Sequence, residues 1–166
     1  MKSPSLDVAA GRKRSAARLA AVQALYQLGQ IASDTPTDVI EQFMHHRFTT
    51  GGEEAPAVEP DGAFFEAIVA GASQRRGEIE ELIGGALSAG WSIGRIERVS
   101  RAILVAGVFE LLAREDVPAK VAINEYVEIA HAFYDDNEPG FVNSVLDRLA
   151  RQLRPGEFES GAVKGA

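Results

Sequence analysis

Apolar side chains recur every three or four positions along most of this chain, which is the period of a helix with one buried face. Residues 15–33 are rich in alanine and leucine, and Leu19, Val22 and Tyr26 are spaced to share one side of such a helix. The pattern therefore predicts a first helix over 15–33.

Local signals predict two more helices in the first half of the chain. Thr35 is a good N-cap and Pro36 suits a first helical turn, so a helix is predicted from Pro36 to about Met44. Another is predicted from Asp61 through an apolar run, with a break near Gly77 before the helical period resumes.

The second half of the chain is also helical by its period. A short turn and a long helix are predicted over 92–115, a further helix over 119–134 and a last one over 138–153. No window alternates apolar and polar residues for more than a few positions, so no strand is predicted. The fold class is all-α with about seven helices, and a bundle in two halves that meet near residue 90 fits the pattern.

The two ends of the chain and one internal stretch have the composition of loops. Residues 1–11 and 155–166 contain serine, proline or glycine without an apolar period, and both are predicted to be flexible. The stretch from about 48 to 62 is rich in glycine, proline and glutamate, which predicts an exposed loop. The part from 12 to 154 is expected to fold as a single domain.

Several classes of site and location find no support in the residues. There is no cysteine, which excludes disulfides, thiolate zinc sites and thiol catalysis. His45 and His46 are adjacent on a predicted helix and point about 100° apart, a poor arrangement for a metal, and no glycine-rich phosphate loop occurs. We therefore expect no enzymatic activity, metal or cofactor. Without a signal-peptide core or a long apolar run, a soluble cytoplasmic protein is expected.

Charge is distributed unevenly along the chain. The formal net charge is −7, which by itself argues against nucleic acid as a partner. Residues 1–30 nevertheless hold five basic residues against one acidic residue. Clustered basic side chains bind phosphates and release counterions, although a merely solvated tail has the same composition. The basic residues at the start of the first predicted helix are Arg12, Lys13, Arg14 and Arg18.

Two further sets of arginines recur every three residues and form slanted rows on their helices. Acidic residues lie close by, so ordinary helix surface with weak ion pairs is the favoured interpretation, and a binding role is the alternative. The rows are Arg95, Arg98 and Arg101, and Arg148, Arg151 and Arg154.

Aromatic residues flank a polar link between the last two predicted helices. Phe133 and Tyr134 precede residues 135–140, and Phe141 follows them. An unpaired RNA base can stack on such a ring. Core packing is the commoner use of aromatics at these spacings, and both interpretations stay open for Phe141.

Four segments resemble the NusB family in the same order and at about the same spacing. Together they cover most of the chain from Arg12 to Arg154, and the resemblance implies an all-helical fold of two small packed bundles. The segments are RLAAVQALYQ (18–27), AILVAGVFEL (102–111), DVPAKVAINEYVEIA (116–130) and FVNSVLDRLA (141–150).

The resemblance also implies a function in transcription antitermination. A member of this family binds single-stranded boxA RNA of ribosomal RNA transcripts together with NusE, a small-subunit ribosomal protein. It joins the antitermination complex and helps RNA polymerase read through terminators. The resemblance implies no cofactor, and it leaves open whether the free protein is a monomer or a homodimer.

Carried over position by position, the resemblance assigns residues to each partner. Asn137 stands where an acidic residue is frequent in the family, and Ser100 stands where glutamate occurs. The RNA-binding residues that it implies are Arg12, Lys13, Arg14, Arg18, Lys120, Phe133, Asn137 and Phe141. The residues that it implies at or near the NusE contact are Tyr26, Ser100 and Arg101.

Two alternative functions remain at the level of sequence. A NusB-like domain also precedes the catalytic domain of RNA cytosine methyltransferases. Here only about a dozen residues follow the last predicted helix, which favours a free-standing factor. A helical module that binds protein without RNA is the second alternative, and it requires the basic N-terminal segment to be idle.

Overall fold

The computed structural model describes residues 4–48 and 58–164 of the chain. Over these ranges it contains helices and no strand, which confirms the all-α prediction, and no described helix is long and apolar enough to cross a membrane. Residues 49–57 of the predicted loop lie outside the described residues, as do the outermost residues of the two predicted flexible ends. The helices are α1 (Pro4–Gln30), α2 (Pro36–Gln42), α3 (Gly62–Gln74), α4 (Arg76–Ala86), α5 (Arg98–Ala113), α6 (Ala119–Phe133), α7 (Glu138–Leu153) and α8 (Pro155–Lys164), with a π-helical turn (Phe43–Arg47) and a 3-10 turn (Ile93–Arg95).

The helices form two units, and the chain passes from the first to the second between Gln74 and Arg75. This division confirms the two bundles that the sequence implied. It falls earlier than the expected position near residue 90, because α4 packs against α5 and α7 and so belongs to the second unit.

The first unit is built on the contact between α1 and α3, with α2 packed against both. α1 contributes the small residues Ala17, Ala21 and Ala24, and α3 contributes the rings of Phe64 and Phe65, and all five are buried. Small side chains on α1 let the helices approach closely, so that the aromatic rings of α3 fill the space between them. The core of this unit is therefore an alanine face covered by aromatic rings.

α1 is longer than predicted, since it begins at Pro4 rather than near Ser15. Residues 4–11 thus form helical turns where the sequence predicted a flexible segment. The early start is compatible with proline in a first turn and with a run that contains one glycine, Gly11. The hydroxyl of Ser15 donates a 3.0 Å hydrogen bond to the Gly11 carbonyl, within the helix.

The face of α1 that the period singled out is only partly buried. Val22 lies in the core, but Leu19 and Tyr26 are exposed. Ala17, Ala21 and Ala24 are buried instead, because their small side chains suit the close contact with the rings of α3. The helical period was right, and its assignment to the core was right for Val22 alone.

The second unit surrounds α5, whose middle is buried on all sides by α4, α6 and α7. Gly107 permits the close approach, since a Cβ atom there would lie 3.0 Å from Leu146 of α7. The carboxylate of Glu110 is fully buried on the same helix, and the hydroxyl of Tyr126 donates a 2.5 Å hydrogen bond to it. The interior thus combines tight packing with a satisfied polar pair.

The C-terminal segment is attached to the second unit, where the sequence predicted a flexible tail. α8 begins directly after Arg154. The Glu157 side chain accepts a 2.9 Å hydrogen bond from the Ala119 amide at the start of α6, and it forms a 3.1 Å ion pair with Arg154. These two contacts fix the first turn of α8.

Arg154 contradicts the interpretation that its row is ordinary helix surface. Its side chain is 8% exposed, and its guanidinium donates five hydrogen bonds. The end of a helix leaves backbone carbonyls without partners, and Arg154 supplies donors to the carbonyls at and beyond the end of α5. The acceptors are the carbonyls of Glu110 (2.8 Å), Leu111 (2.9 Å), Arg114 (2.7 Å) and Val117 (2.5 Å) and the carboxylate of Glu157 (3.1 Å).

The attachment of α8 has a consequence for stability in acid. The hydrogen bond from the Ala119 amide holds the pKa of Glu157 below its ordinary value; Arg154 acts in the same direction, and partial desolvation opposes both. Because the folded pKa is lowered, the stabilising contribution is present above the unfolded pKa of about 4.3. It is lost as the pH falls through the lower folded pKa.

We therefore expect Glu157→Gln to flatten the dependence of the unfolding free energy on pH below about pH 4.3. Urea unfolding at a series of acidic pH values measures this slope. Glu159→Gln, at an exposed position of the same helix, is the matched control and leaves the slope as in the original protein. Equal slopes for Glu157→Gln and the original protein contradict the prediction.

Candidate nucleic-acid interface

Three basic residues of α1 form a cluster on the surface of the first unit, and we call Arg12, Lys13 and Arg14 the basic cluster. Arg12 and Lys13 are exposed and Arg14 is half-buried, with its guanidinium carbon 4.6 Å from the centre of the Phe64 ring. The Lys13 carbonyl accepts a 3.0 Å hydrogen bond from the Asp61 amide just before α3. This hydrogen bond ties the backbone of the cluster to the start of α3, and the charged groups remain at the surface.

Arg18 follows the basic cluster by one helical turn, but its environment is different. Its side chain is 3% exposed, and its guanidinium carbon lies 4.9 Å from the centre of the Phe64 ring. Buried in this way, it is not placed to touch a phosphate, contrary to the role that the sequence implied. Its cation–π contact joins α1 to α3 and supports the helix that carries the cluster.

Arg47 is a cation that the sequence analysis missed. It lies in the π-helical turn, packs 4.7 Å from the centre of the Phe43 ring and donates a 3.2 Å hydrogen bond to Gln23 of α1. Arg47 and Arg12 line one open groove of about 780 Å³. The chain separation between them left no local signal, and only the packing of α1 against the turn brings them together.

The second unit carries the aromatic residues that the sequence singled out, and we call residues 133–141 the aromatic link. Phe133 is 46% exposed at the end of α6. Asn137 is exposed just before α7, and its carbonyl accepts the first helical hydrogen bond, from the Phe141 amide at 3.0 Å. Phe141 is half-buried, so its ring retains exposed surface while it packs against the unit.

The aromatic link is fastened to the start of α5 on both sides of Asn137. Before it, the Tyr134 hydroxyl donates a hydrogen bond to Glu97, whose carboxylate also caps the first amides of α5. After it, the hydroxyl of Ser100 donates a 2.6 Å hydrogen bond to Glu138. A link held at two points presents its side chains with little loss of conformational entropy on binding.

The structure places Ser100 and Arg101, for which the resemblance implied a partner-binding role, in different environments. Ser100 is fully buried, and its hydroxyl is engaged by Glu138. Arg101 is half-buried and donates a 2.8 Å hydrogen bond to the Ile93 carbonyl, which fixes the 3-10 turn. Ser100 is thus closed off from a partner, whereas Arg101 keeps some exposed surface and its contact with NusE stays a prediction.

Trp91 and Arg95 lie beside the aromatic link. Trp91 was not among the predicted site residues, and Arg95 belongs to a row for which binding was the alternative interpretation. The centres of the Trp91 and Phe141 rings are 6.3 Å apart, and the guanidinium carbon of Arg95 lies 5.3 Å from the centre of the Trp91 ring. Trp91 precedes Phe141 by fifty positions, so no periodicity connects them. The one signal in the sequence was that Trp91 is the single tryptophan of the chain.

Tyr26 and Lys120 are exposed, as their predicted contacts require. Tyr26 lies on α1, in the first unit. Lys120 lies on the first turn of α6, at the opposite end of that helix from Phe133. Thirteen residues of helix separate Lys120 from Phe133 by about 20 Å, so these two predicted RNA-binding residues do not form one local site.

Comparisons with known proteins agree on one family. A sequence model of the NusB family matches residues 15–151. The transcription antitermination protein NusB of Maricaulis maris (strain MCS10) is 46% identical over 157 residues, which cover 95% of this chain and 96% of that protein. The protein of the same name from Rhizobium rhizogenes (strain K84 / ATCC BAA-868) is 46% identical over 142 residues, 86% of this chain and 88% of its own.

Solved structures give the same result for the fold. T. maritima NusB matches with a TM-score of 0.71 and 27% identity over 96% of this chain and 99% of its own. A crystal structure of the antitermination factors NusB and NusE in complex with dsRNA matches with a TM-score of 0.66 and 24% identity, over 85% of this chain and 98% of the matched chain. The match to the NusB–NusE complex concerns the fold alone.

Proposed function

The chain belongs to the NusB family, and we propose that it is a transcription antitermination factor that binds boxA RNA of ribosomal RNA transcripts together with NusE. In this role it works by binding, without catalysis, alongside RNA polymerase in the cytoplasm. The observation that carries the proposal is the exposed basic cluster on α1, in a chain whose net charge is −7. A local excess of positive charge on one short segment of an acidic protein favours a localised contact with phosphates.

Two features of the comparisons support this role. The relatives from Maricaulis and Rhizobium bear the name of the antitermination protein, and the NusB of similar fold was crystallised with NusE and dsRNA. The Maricaulis protein is matched over 96% of its length, which favours the antitermination factor over the related domain of RNA cytosine methyltransferases.

Each of the two units contributes one RNA-contacting surface. In the first unit the basic cluster contacts phosphates, and Arg47 adds a further cation at the shared groove. In the second unit Phe133, Asn137 and Phe141 contact bases, since unpaired bases stack on aromatic rings. Tyr26 contributes to the contact with NusE.

Fluorescence anisotropy with a labelled boxA RNA tests the function. We expect binding to boxA that is tighter than to a scrambled RNA of equal length and that tightens further when purified NusE is added. Equal affinity for the two RNAs, with and without NusE, contradicts the proposal. Binding of NusE without any binding of RNA instead supports the module that binds protein alone.

Truncation of Phe141 tests the surface of the second unit. We expect Phe141→Ala to weaken RNA binding by about 1–3 kcal/mol, the usual contribution of one stacked base. Phe158→Ala removes another half-buried phenylalanine, on α8, and is the matched control that leaves RNA affinity unchanged. A lower melting temperature for Phe141→Ala with unaltered RNA affinity indicates that the ring serves packing alone and refutes the stacking role.

A further inference from the structure

We propose that Trp91 is an additional stacking platform beside the aromatic link, on which an unpaired RNA base lies next to the base bound at Phe141. This inference rests on the proposed function, because it extends the RNA surface of the second unit. It assigns an RNA contact to a residue for which neither the sequence pattern nor the family resemblance predicted one.

The exposure of Trp91 is the first observation. The side chain is 52% exposed, although a tryptophan offers more apolar area for burial than any other residue. The centre of its ring is 6.3 Å from that of Phe141, with 36° between the ring planes. Two neighbouring aromatic rings that retain exposed surface are suited to successive bases of a single strand, because every base has a face that can stack.

The local backbone holds Trp91 in place, which is the second observation. Gly90 has a φ angle of +88°, a conformation that glycine adopts without strain, and it turns the chain immediately before the tryptophan. Arg95 donates a 3.0 Å hydrogen bond to the Gly90 carbonyl while its guanidinium carbon lies 5.3 Å from the centre of the indole ring. Arg101 fixes the same segment through the Ile93 carbonyl.

The charge of Arg95 favours a nucleic acid as the occupant of this surface. Arg95 is exposed and brings a cation to the edge of the stacking surface. A strand whose base stacks on Trp91 places a phosphate within a few ångströms, where a guanidinium binds it well. Aromatic rings interleaved with a cation are the arrangement by which proteins bind single strands without strict sequence readout.

The chain has one tryptophan, so its intrinsic fluorescence reports on this position alone. We expect the emission of the original protein to be quenched, and shielded from acrylamide, in proportion to the boxA RNA that is bound. We expect Trp91→Ala to weaken RNA binding roughly ten-fold and Trp91→Phe, which keeps an aromatic face, to retain most of the affinity. Ile31→Ala alters another exposed apolar side chain, in the first unit, and is the control that leaves affinity unchanged.

The outcomes separate this inference from the function on which it rests. If saturating RNA leaves the emission unaltered and Trp91→Ala binds as tightly as the original protein, the stacking role is refuted while RNA binding stands. If the emission changes only on addition of NusE, a protein covers Trp91 and the inference is also overturned. If the original protein binds no RNA, the proposed function is refuted, and the inference that rests on it is refuted as well. The emission measurement needs no variant, so a folding defect in Trp91→Ala does not affect it.

Discussion

We expect Arg154→Ala to lower the free energy of unfolding by about 3–5 kcal/mol, the largest loss of stability from a single change described for this protein. The guanidinium donates five hydrogen bonds, four of them to backbone carbonyls around the end of α5. Its removal leaves those carbonyls with fewer donors in a site that is closed to solvent, and each such loss is costly. Urea unfolding followed by circular dichroism measures the change.

Arg151→Ala is the matched control for this prediction. Arg151 lies one turn earlier on α7, but it is exposed and forms a surface ion pair with Asp147, so we expect a loss below about 1 kcal/mol. Arg154→Lys keeps the charge with three donors instead of five and is expected to fall between the two alanine variants. A loss for Arg154→Ala no greater than that for Arg151→Ala shows that the carbonyls are satisfied without the guanidinium.

We expect neutralisation of the basic cluster to produce a large and salt-dependent loss of RNA affinity. With Arg12, Lys13 and Arg14 all changed to glutamine, affinity falls by about 10- to 100-fold at moderate salt, because three phosphate contacts and their released counterions are lost. The slope of log affinity against log salt concentration decreases by about 2, at roughly 0.7 for each phosphate contacted by a single strand. Anisotropy titrations at several salt concentrations measure both quantities.

A triple variant of paired arginines controls for net charge. Changing Arg75, Arg76 and Arg151 to glutamine also removes three charges, but each of these arginines is already engaged by a neighbouring carboxylate. We expect a small effect on the salt slope from this variant. Equal slopes for the two triple variants refute a specific role for the basic cluster.

Arg18→Met separates the buried arginine from the cluster beside it. Since Arg18 packs on Phe64 in the interior, we expect the variant to unfold at lower urea concentration while the salt slope is retained. A reduced salt slope without a change in stability indicates that the guanidinium reaches the RNA, and it restores the role that the sequence implied.

The helices α2 to α7 could be predicted because their signals are local. Thr35 caps α2 as expected, and its side chain accepts a 3.1 Å hydrogen bond from the Asp38 amide. The long buried run of α5 and the polar link before α7 were likewise evident from spacing alone. Each of these features depends on residues within a few positions of one another.

The roles of individual arginines could not be predicted, because they depend on distant residues. Arg14 and Arg18 look alike in the sequence, and both pack on Phe64 of another helix, yet Arg14 is half-buried and Arg18 is buried. Arg151 and Arg154 belong to one row, yet Arg154 meets the end of α5 some forty residues earlier in the chain. The spacing of apolar residues identifies the buried face of a helix, but it does not show which side chains on the helix form hydrogen bonds or ring contacts with distant residues.

The division of the chain at Gln74 also bears on the order of events during synthesis. All the helices that pack in the first unit lie within the first 74 residues, so this unit has its complete set of partners while the rest of the chain is still being translated. The second unit has its complete set of contacts only after Arg154 and Glu157 have been synthesised. In a nascent chain the basic cluster is therefore assembled before the aromatic link is closed.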